Sequence, residues 1–583
     1  MKQFIKNIFS TLIGILLSFF LIVIIFIGIL SLGSDLESDK KTIKANSILK
    51  IDLSNEVVER ASNPFTSLSL MNLEPKKQIE LKTILDNIEK AKKDENIIAI
   101  YLYSPIVNAG LSKTEEIRNK LLEFKKTGKP IISYNEVYST KSYYLSSVAN
   151  KIFLNPQGGV DHKGASATLM FFTGLFEKLN IDLQIFKYGK FKSAVEPFTL
   201  DKMSNENRIQ LQLMLNSFSD NIMDSIANQR KLSLEKVQKD ADQLTLNSSK
   251  DCLEEGYVDG LIYEDQVEDS LKSLSIDNKL NLISLNNYSS VKGEKKEISK
   301  NKIAIIYANG EIISGKGDES MIGSKTTSEA IKKARKDKNV KAIVLRINSP
   351  GGSALASDVI WRETTLAKQE KPLVVSMGDY AASGGYYIAC AADKIVANPT
   401  TLTGSIGVFG MIPNMKEFYK KNFGITVDTV NTNKYSDMGI SRKLTNFERN
   451  KIQKNIEDIY SEFITKVGQG RDMSIIAVDE IGQGRIWSGY DAKKIGLIDI
   501  YGGLEKAIST AAELAELDNY RIISLPKKED PLTQIINDLK QTSLSNMLIK
   551  DFDFINVKDI VTIKAITKSD KIQARIPYII NLK

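Results

Sequence analysis

From Ile8 to Leu32 no residue is charged, and Leu, Ile, Phe and Val dominate. A run of that length can cross a bilayer as a helix. Lys2 and Lys6 precede it; Asp35, Glu37 and Asp39 follow. The positive-inside bias therefore predicts an anchor within residues 1–34, its N-terminus cytoplasmic and the remaining chain extracytoplasmic. A buried core helix and a cleaved signal peptide are the alternatives, the latter opposed by the lack of a convincing small-residue cleavage site. Downstream, short β-branched runs alternate with amphipathic stretches. Ile303 to Tyr307, Ala342 to Ile347 and Leu373 to Ser376 read as buried strands, Asn309-Gly310 as a turn before Ile312-Ile313, and Thr327 to Lys338 as a helix. This alternation predicts an α/β architecture with parallel strands and helical crossovers.

The pattern occurs twice. Lys151-Ile152-Phe153-Leu154-Asn155-Pro156 resembles Lys394-Ile395-Val396-Ala397-Asn398-Pro399, so Pro156 and Pro399 set an offset of 243 residues. Tyr143-Tyr144-Leu145 and Tyr386-Tyr387-Ile388 share it. A period that long is not a solenoid; it predicts two copies of one domain. We place them at 45–290 and 301–525, with a polar linker from about Ser290 to Asn301 and a weakly patterned tail over 526–583. The last stretch, Ile572 to Leu582, could pair with a domain edge.

Composition narrows the chemistry. Of 583 residues, 42% are hydrophobic and 26% charged, an ordinary globular balance; Lys+Arg 79 against Asp+Glu 71 leaves +8, interspersed along the chain. Nucleic-acid binding is not indicated. Cys252 and Cys390 are too few for a disulfide framework, and two buried thiols are expected. The single histidine, His162, excludes multi-histidine metal sites. No phosphate loop or metal-ligand cluster stands out, and no cofactor is expected.

Two glycine-rich turns in the second copy carry candidate chemistry. Asn348-Ser349-Pro350-Gly351-Gly352-Ser353 follows a strand and can face a ligand with bare backbone N–H groups. Asp379-Tyr380-Ala381-Ala382-Ser383-Gly384-Gly385-Tyr386-Tyr387 sets a serine among small residues, with Gly384 N–H as a second oxyanion donor. At the same offset the first copy has Thr140 for Ser383, and its rough counterpart of the glycine loop is Ser104-Pro105-Ile106-Val107, without glycines, so it lacks both features.

These segments resemble the signal peptide peptidase A (protease IV) family in its long tandem form. The likeness also rests on Thr401-Leu402-Thr403-Gly404-Ser405-Ile406-Gly407 and on the run Tyr188-Gly189-Lys190-Phe191-Lys192-Ser193-Ala194-Val195-Glu196-Pro197-Phe198. The resemblance implies two crotonase/Clp-protease-like domains and a Ser/Lys dyad: Ser383 as nucleophile, Lys192 as base, Ser405 holding the lysine amine, and Gly351, Gly352 and Gly384 forming the oxyanion hole. The base position in the second copy is Ser436, in Asn433-Lys434-Tyr435-Ser436. Each copy thus lacks what the other keeps, which predicts one site per chain built from both. A buried lysine can fall from about 10.4 to roughly 7–8, within the range of a general base. The resemblance further implies a serine endopeptidase at the cytoplasmic membrane that degrades cleaved signal peptides, and a homo-oligomer, a tetrameric bowl. An acyl-CoA enzyme and a non-enzymatic membrane scaffold are the rivals. Lys190 reads as structural, Glu196 has no assigned role, His162 could approach the site, and Trp361 and Trp487 read as packing residues.

Overall fold

The computed structural model describes residues 6–7, 10–21, 43–61, 77–291, 299–528 and 572–575. Residues 10–21 of the apolar N-terminal run are helical and exposed; the rest of the expected span lies outside the described residues. Among the described residues no helix is long and apolar enough to cross a membrane. Most of the expected linker also lies outside them.

Each copy builds an α/β layer around its own sheet. In the first, parallel strands run in the order Gly260–Leu261, Lys151–Val160, Ile131–Tyr138, Ile97–Leu102, Ser47–Ile51 and Asn281–Ser284. The second repeats the plan with Leu373–Ala382, Val340–Ser349, Lys302–Asn309 and Arg521–Leu525, and continues through Leu402–Gly404 to an antiparallel Ile486–Ser488. Central strands are covered on both faces, which is why they read as nearly unbroken apolar runs. Ile303 and Ile305 face the helix Leu504–Leu514, whereas Ala304 and Ile306 face the larger core beneath Ser324–Lys336 and Ala354–Glu370.

The expected elements are longer than their apolar cores: Ala342 to Ile347 is the centre of Val340–Ser349, and Leu373 to Ser376 opens Leu373–Ala382. The turn at Asn309-Gly310 does not close a hairpin. It passes the chain from the parallel sheet to Glu311–Ile313, in a third sheet. Gly310 takes φ +94° there, and a Cβ on it would lie 1.7 Å from Ser320 O.

That third sheet joins distant parts of the chain. Its order is Met321–Gly323, Glu311–Ile313, Gly351–Ser353, Ile572–Arg575, Val408–Asn414 and Asp182–Tyr188. The last pair runs antiparallel over seven positions, from Val408 opposite Tyr188 to Asn414 opposite Asp182, and so couples the two copies beside the glycine loop. The C-terminal strand is not at an edge: Ile572–Arg575 lies inside this sheet.

A polar seam also binds the copies. Arg346 is fully buried on a second-copy strand; its guanidinium donates to Glu59 at 2.9 Å and to Glu116 at 2.7 Å, both from the first copy. Lys113 pairs with Asp379 alongside. Ser112, Glu115 and Glu116 on the helix Leu111–Lys125 reach Asn398, Thr400 and Leu504 N–H, respectively. Buried charges persist only when paired and hydrogen-bonded, as these are.

Candidate active site

Ser383 stands where Leu373–Ala382 turns into the helix Gly384–Ala389. Its backbone is at φ +55°, ψ −114°. For a non-glycine residue that conformation costs about 1–3 kcal/mol and is kept only when the surroundings impose it. Ser383 N–H donates to Gly404 O at 2.7 Å. The following glycines have no room for side chains: a Cβ on Gly384 would lie 2.6 Å from Ser357 Oγ, and one on Gly385 2.9 Å from Ser349 O.

Lys192 arrives from the other copy. The strand Asp182–Tyr188 delivers it, and the turn begins at Gly189, at φ +99°, where a Cβ would lie 2.5 Å from Gln483 O. Phe191 N–H donates to Gln483 O at 2.9 Å. Gln210 donates to Phe191 O and Ser193 Oγ and accepts from Ile486 N–H, tying the turn to the second copy. Lys192 Nζ then lies 2.8 Å from Ser383 Oγ, 3.1 Å from Ser405 Oγ and 3.3 Å from Ser405 O. Ser405 Oγ donates to Gly484 O at 3.4 Å, so it can accept from the amine. Lys192 is 1% exposed. Burial pushes its amine down to about 7, because the ammonium loses its water. A neutral amine there can accept the Ser383 proton while its own N–H groups point at Ser405.

Gly407 and Gly484 make the lysine slot, and neither was assigned a role from sequence. A Cβ on Gly484 would lie 2.6 Å from Lys192 Cβ; one on Gly407 would lie 3.2 Å from Lys192 Cδ. Gly407 belongs to the run around Ser405, but Gly484 and Gln210 stand in unremarkable local sequence and carried no signal.

The glycine loop adjoins the serine turn. A Cβ on Gly351 would lie 2.9 Å from Gly384 N, and one on Gly384 3.2 Å from Gly352 N. Of the three expected oxyanion donors, Gly351 has its N–H engaged by Ser349 Oγ at 3.1 Å. Its contribution here is the space left by the absent side chain.

The remaining candidates lie apart. His162 is buried in the first copy, its Nε2 2.8 Å from Val237 O and its ring beside Tyr257. Thr140, at the position equivalent to Ser383, donates to Asp161 O at 2.7 Å. Lys190 lies over the Phe191 ring, as Lys434 lies over Tyr435. Glu196 accepts from Ser204 and Asn207 and so fixes the start of the helix Asn205–Arg230, which carries Gln210. Trp361 lies under Lys466, and Trp487 donates to Ile481 O. Cys252 and Cys390 are free and buried, as expected.

The profile of peptidase family S49 matches residues 123–276 and again 365–518. The chain belongs to this family. It is 35% identical to Protease 4 of Salmonella typhi over 526 residues, covering 87% of this chain and 84% of that one. It is 33% identical to the chloroplastic serine protease SPPA of Arabidopsis thaliana, covering 85% and 73%, and 36% identical to Protease 4 of Haemophilus influenzae, covering 73% and 72%. Among solved structures, a ClpP1 mutant from Listeria monocytogenes is 16% identical, with a TM-score of 0.24 over 35% of this chain and 94% of that one. The S49 chain described here is accordingly a serine protease made of two repeats of the family domain.

Proposed function

We propose that this S49 protease is a membrane-anchored endopeptidase with a split Ser/Lys dyad, acting on cleaved signal peptides in or near the cytoplasmic membrane. The 2.8 Å approach of Lys192 Nζ to Ser383 Oγ, inside a slot that drives the amine toward neutrality, carries this reading. Lys192 takes the Ser383 proton as Oγ attacks a peptide carbonyl. Gly352 and Gly384 N–H stabilise the oxyanion, and Ser405 holds the amine in line. The lysinium protonates the leaving amine, and water, deprotonated by the same lysine, releases the acyl group. No metal or cofactor takes part.

The substrate class rests on two supports. A relative from Enterococcus faecium, 33% identical over 232 residues, bears the name putative signal peptide peptidase SppA. The apolar run over residues 8–32 would hold the catalytic domains against the extracytoplasmic face of the membrane, where signal peptides are left. A homotetramer is part of the same reading.

The test is hydrolysis of a signal-peptide substrate by detergent-purified protein, with Ser383→Ala and Lys192→Ala as comparisons. Loss of activity in both folded variants supports a dyad drawn from the two copies. Retained activity in Lys192→Ala refutes it.

A further inference from the structure

One side chain holds both lips of the lysine slot. Tyr460 is buried on the helix Asn446–Arg471. Its ring centroid lies 4.4 Å from that of Tyr188, the last residue of the strand that delivers Lys192. Its hydroxyl accepts from Gln483 N–H at 3.1 Å and donates to Asp479 Oδ1. Asp479, on the helix Ile475–Ile481, also accepts from Gln483 Nε2 at 2.7 Å. Tyr460 and Asp479 therefore grip both the main chain and the side chain of Gln483.

Gln483 needs that grip. It stands at φ +53°, in the left-handed region, where a non-glycine residue stays only when its surroundings impose it. Held there, Gln483 O accepts from Phe191 N–H at 2.9 Å and Gly484 N–H donates to Ile406 O at 2.7 Å. The wall thus closes on the lysine turn from one side and on the Ser405 loop from the other. Burial is the one cause of the lowered Lys192 amine; Asp479 and Arg485 on the wall, and Lys190 and Glu196 on the turn, do not contribute. Whatever closes the slot therefore sets the base. The first copy lacks this device. The helix caps Ser204 and Thr445 set an offset of 241 residues, which Ser233 and Ser474 share. At that offset Tyr460, Asp479 and Gly484 correspond to Ser219, Gln238 and Gln243. The grip occurs only in the copy whose loop receives the lysine.

We infer that Tyr460 and Asp479 are positioning residues for the general base: they pin the Gln483-Gly484 wall against the turn carrying Lys192, and so keep its amine buried and 2.8 Å from Ser383 Oγ. The inference rests on the dyad reading above and deepens it. Both residues act through the wall, by hydrogen bonds to Gln483, and not on substrate. Tyr460→Phe keeps the ring on Tyr188 and removes the hydroxyl, which releases Gln483 N–H. Asp479→Ala removes the acceptor that Tyr460 and Gln483 share. In either variant the wall relaxes, solvent reaches the slot, and the Lys192 ammonium regains hydration, so its amine titrates nearer the ordinary lysine range.

Steady-state hydrolysis of a signal-peptide substrate by the detergent-purified full chain, from about pH 5 to about pH 10, tests this, with unfolding midpoints and Lys192→Ala measured in parallel. Both variants should move the acid limb of kcat/KM, placed at about 7 in wild type, up by about one pH unit. At pH 7, kcat should fall about 10-fold with KM nearly unchanged, and much of the loss should return by about pH 9. An acid limb that stays at the wild-type position in either variant overturns the inference, even where kcat falls together with the unfolding midpoint, because a merely structural role lowers the amount of folded enzyme without moving a titration. Lys192→Ala that keeps its activity removes the dyad reading and this inference with it. An inactive Lys192→Ala beside unmoved limbs removes the inference and leaves the dyad standing.

Discussion

Replacing Lys192 by methionine keeps the length and much of the volume of the side chain and removes its charge. Burial lowers the Lys192 amine from 10.5 to about 7 in the folded protein. At about 1.4 kcal/mol per pH unit, that fall corresponds to a folding penalty on the order of 5 kcal/mol once both states are protonated. The sign follows from proton binding. Between pH 7 and 10.5 the unfolded chain binds a proton at this residue that the folded chain does not, so the lysine protein gains stability as pH rises through that window. The deficit is full below about pH 7 and gone above about pH 10.5. Lys192→Met should therefore be the more stable protein at pH 7, with the gap closing towards pH 10.5. Urea unfolding of both proteins in a Ser383→Ala background, which removes proteolysis, measures the difference at each pH. A gap that stays constant across the window would falsify burial as the cause of the neutral lysine. In the active background, the same substitution should lower kcat/KM by about 100-fold to 10,000-fold, the usual contribution of a positioned base.

The wild-type kcat/KM should rise with pH through about 7 and then level, because only the neutral Lys192 amine accepts the serine proton; a profile flat from pH 5 to 9 would contradict this. Gly484→Ala places a methyl group against Lys192 Cβ and backbone at a φ of +78°; the displaced amine should cost about 100-fold in kcat, and the strained backbone should lower the unfolding midpoint as well. Ser405→Ala removes the hydroxyl 3.1 Å from Nζ and should reduce kcat/KM by about 10-fold to 100-fold, the worth of one hydrogen bond to a charged group, in steady-state assays. Arg346→Met strands Glu59 and Glu116 without their cation; it should destabilise by about 3–5 kcal/mol in denaturant titrations, with much of the loss recovered when both glutamates become glutamine.

Much of this protein was legible in its residues. Parallel strands buried on both faces are apolar throughout, so Ala342 to Ile347 and Leu373 to Ser376 announced themselves as strands, and the repeat announced two copies. Ser383 and Lys192 were legible because each sits in a distinctive local run, and because each copy lacks what the other keeps. Local sequence stopped short wherever the partner was distant. Gly484 looks like any loop glycine until the folded chain lays Lys192 against it. Gln210 is one amide on a long helix until it meets the turn that carries the lysine. Arg346 interrupts a strand pattern with a charge whose carboxylate partners lie more than two hundred residues away. Ile572 to Leu582 showed strand-forming residues but no edge, because backbone pairing leaves little imprint on side-chain choice. Sequence alone thus determined the strands, the duplication and the two candidate reacting side chains, all of which depend on neighbouring residues or recurring motifs. Only the tertiary structure decided that these side chains meet in a buried slot, and that the C-terminal strand pairs with the glycine loop, because both depend on backbone approaches between segments far apart in the chain.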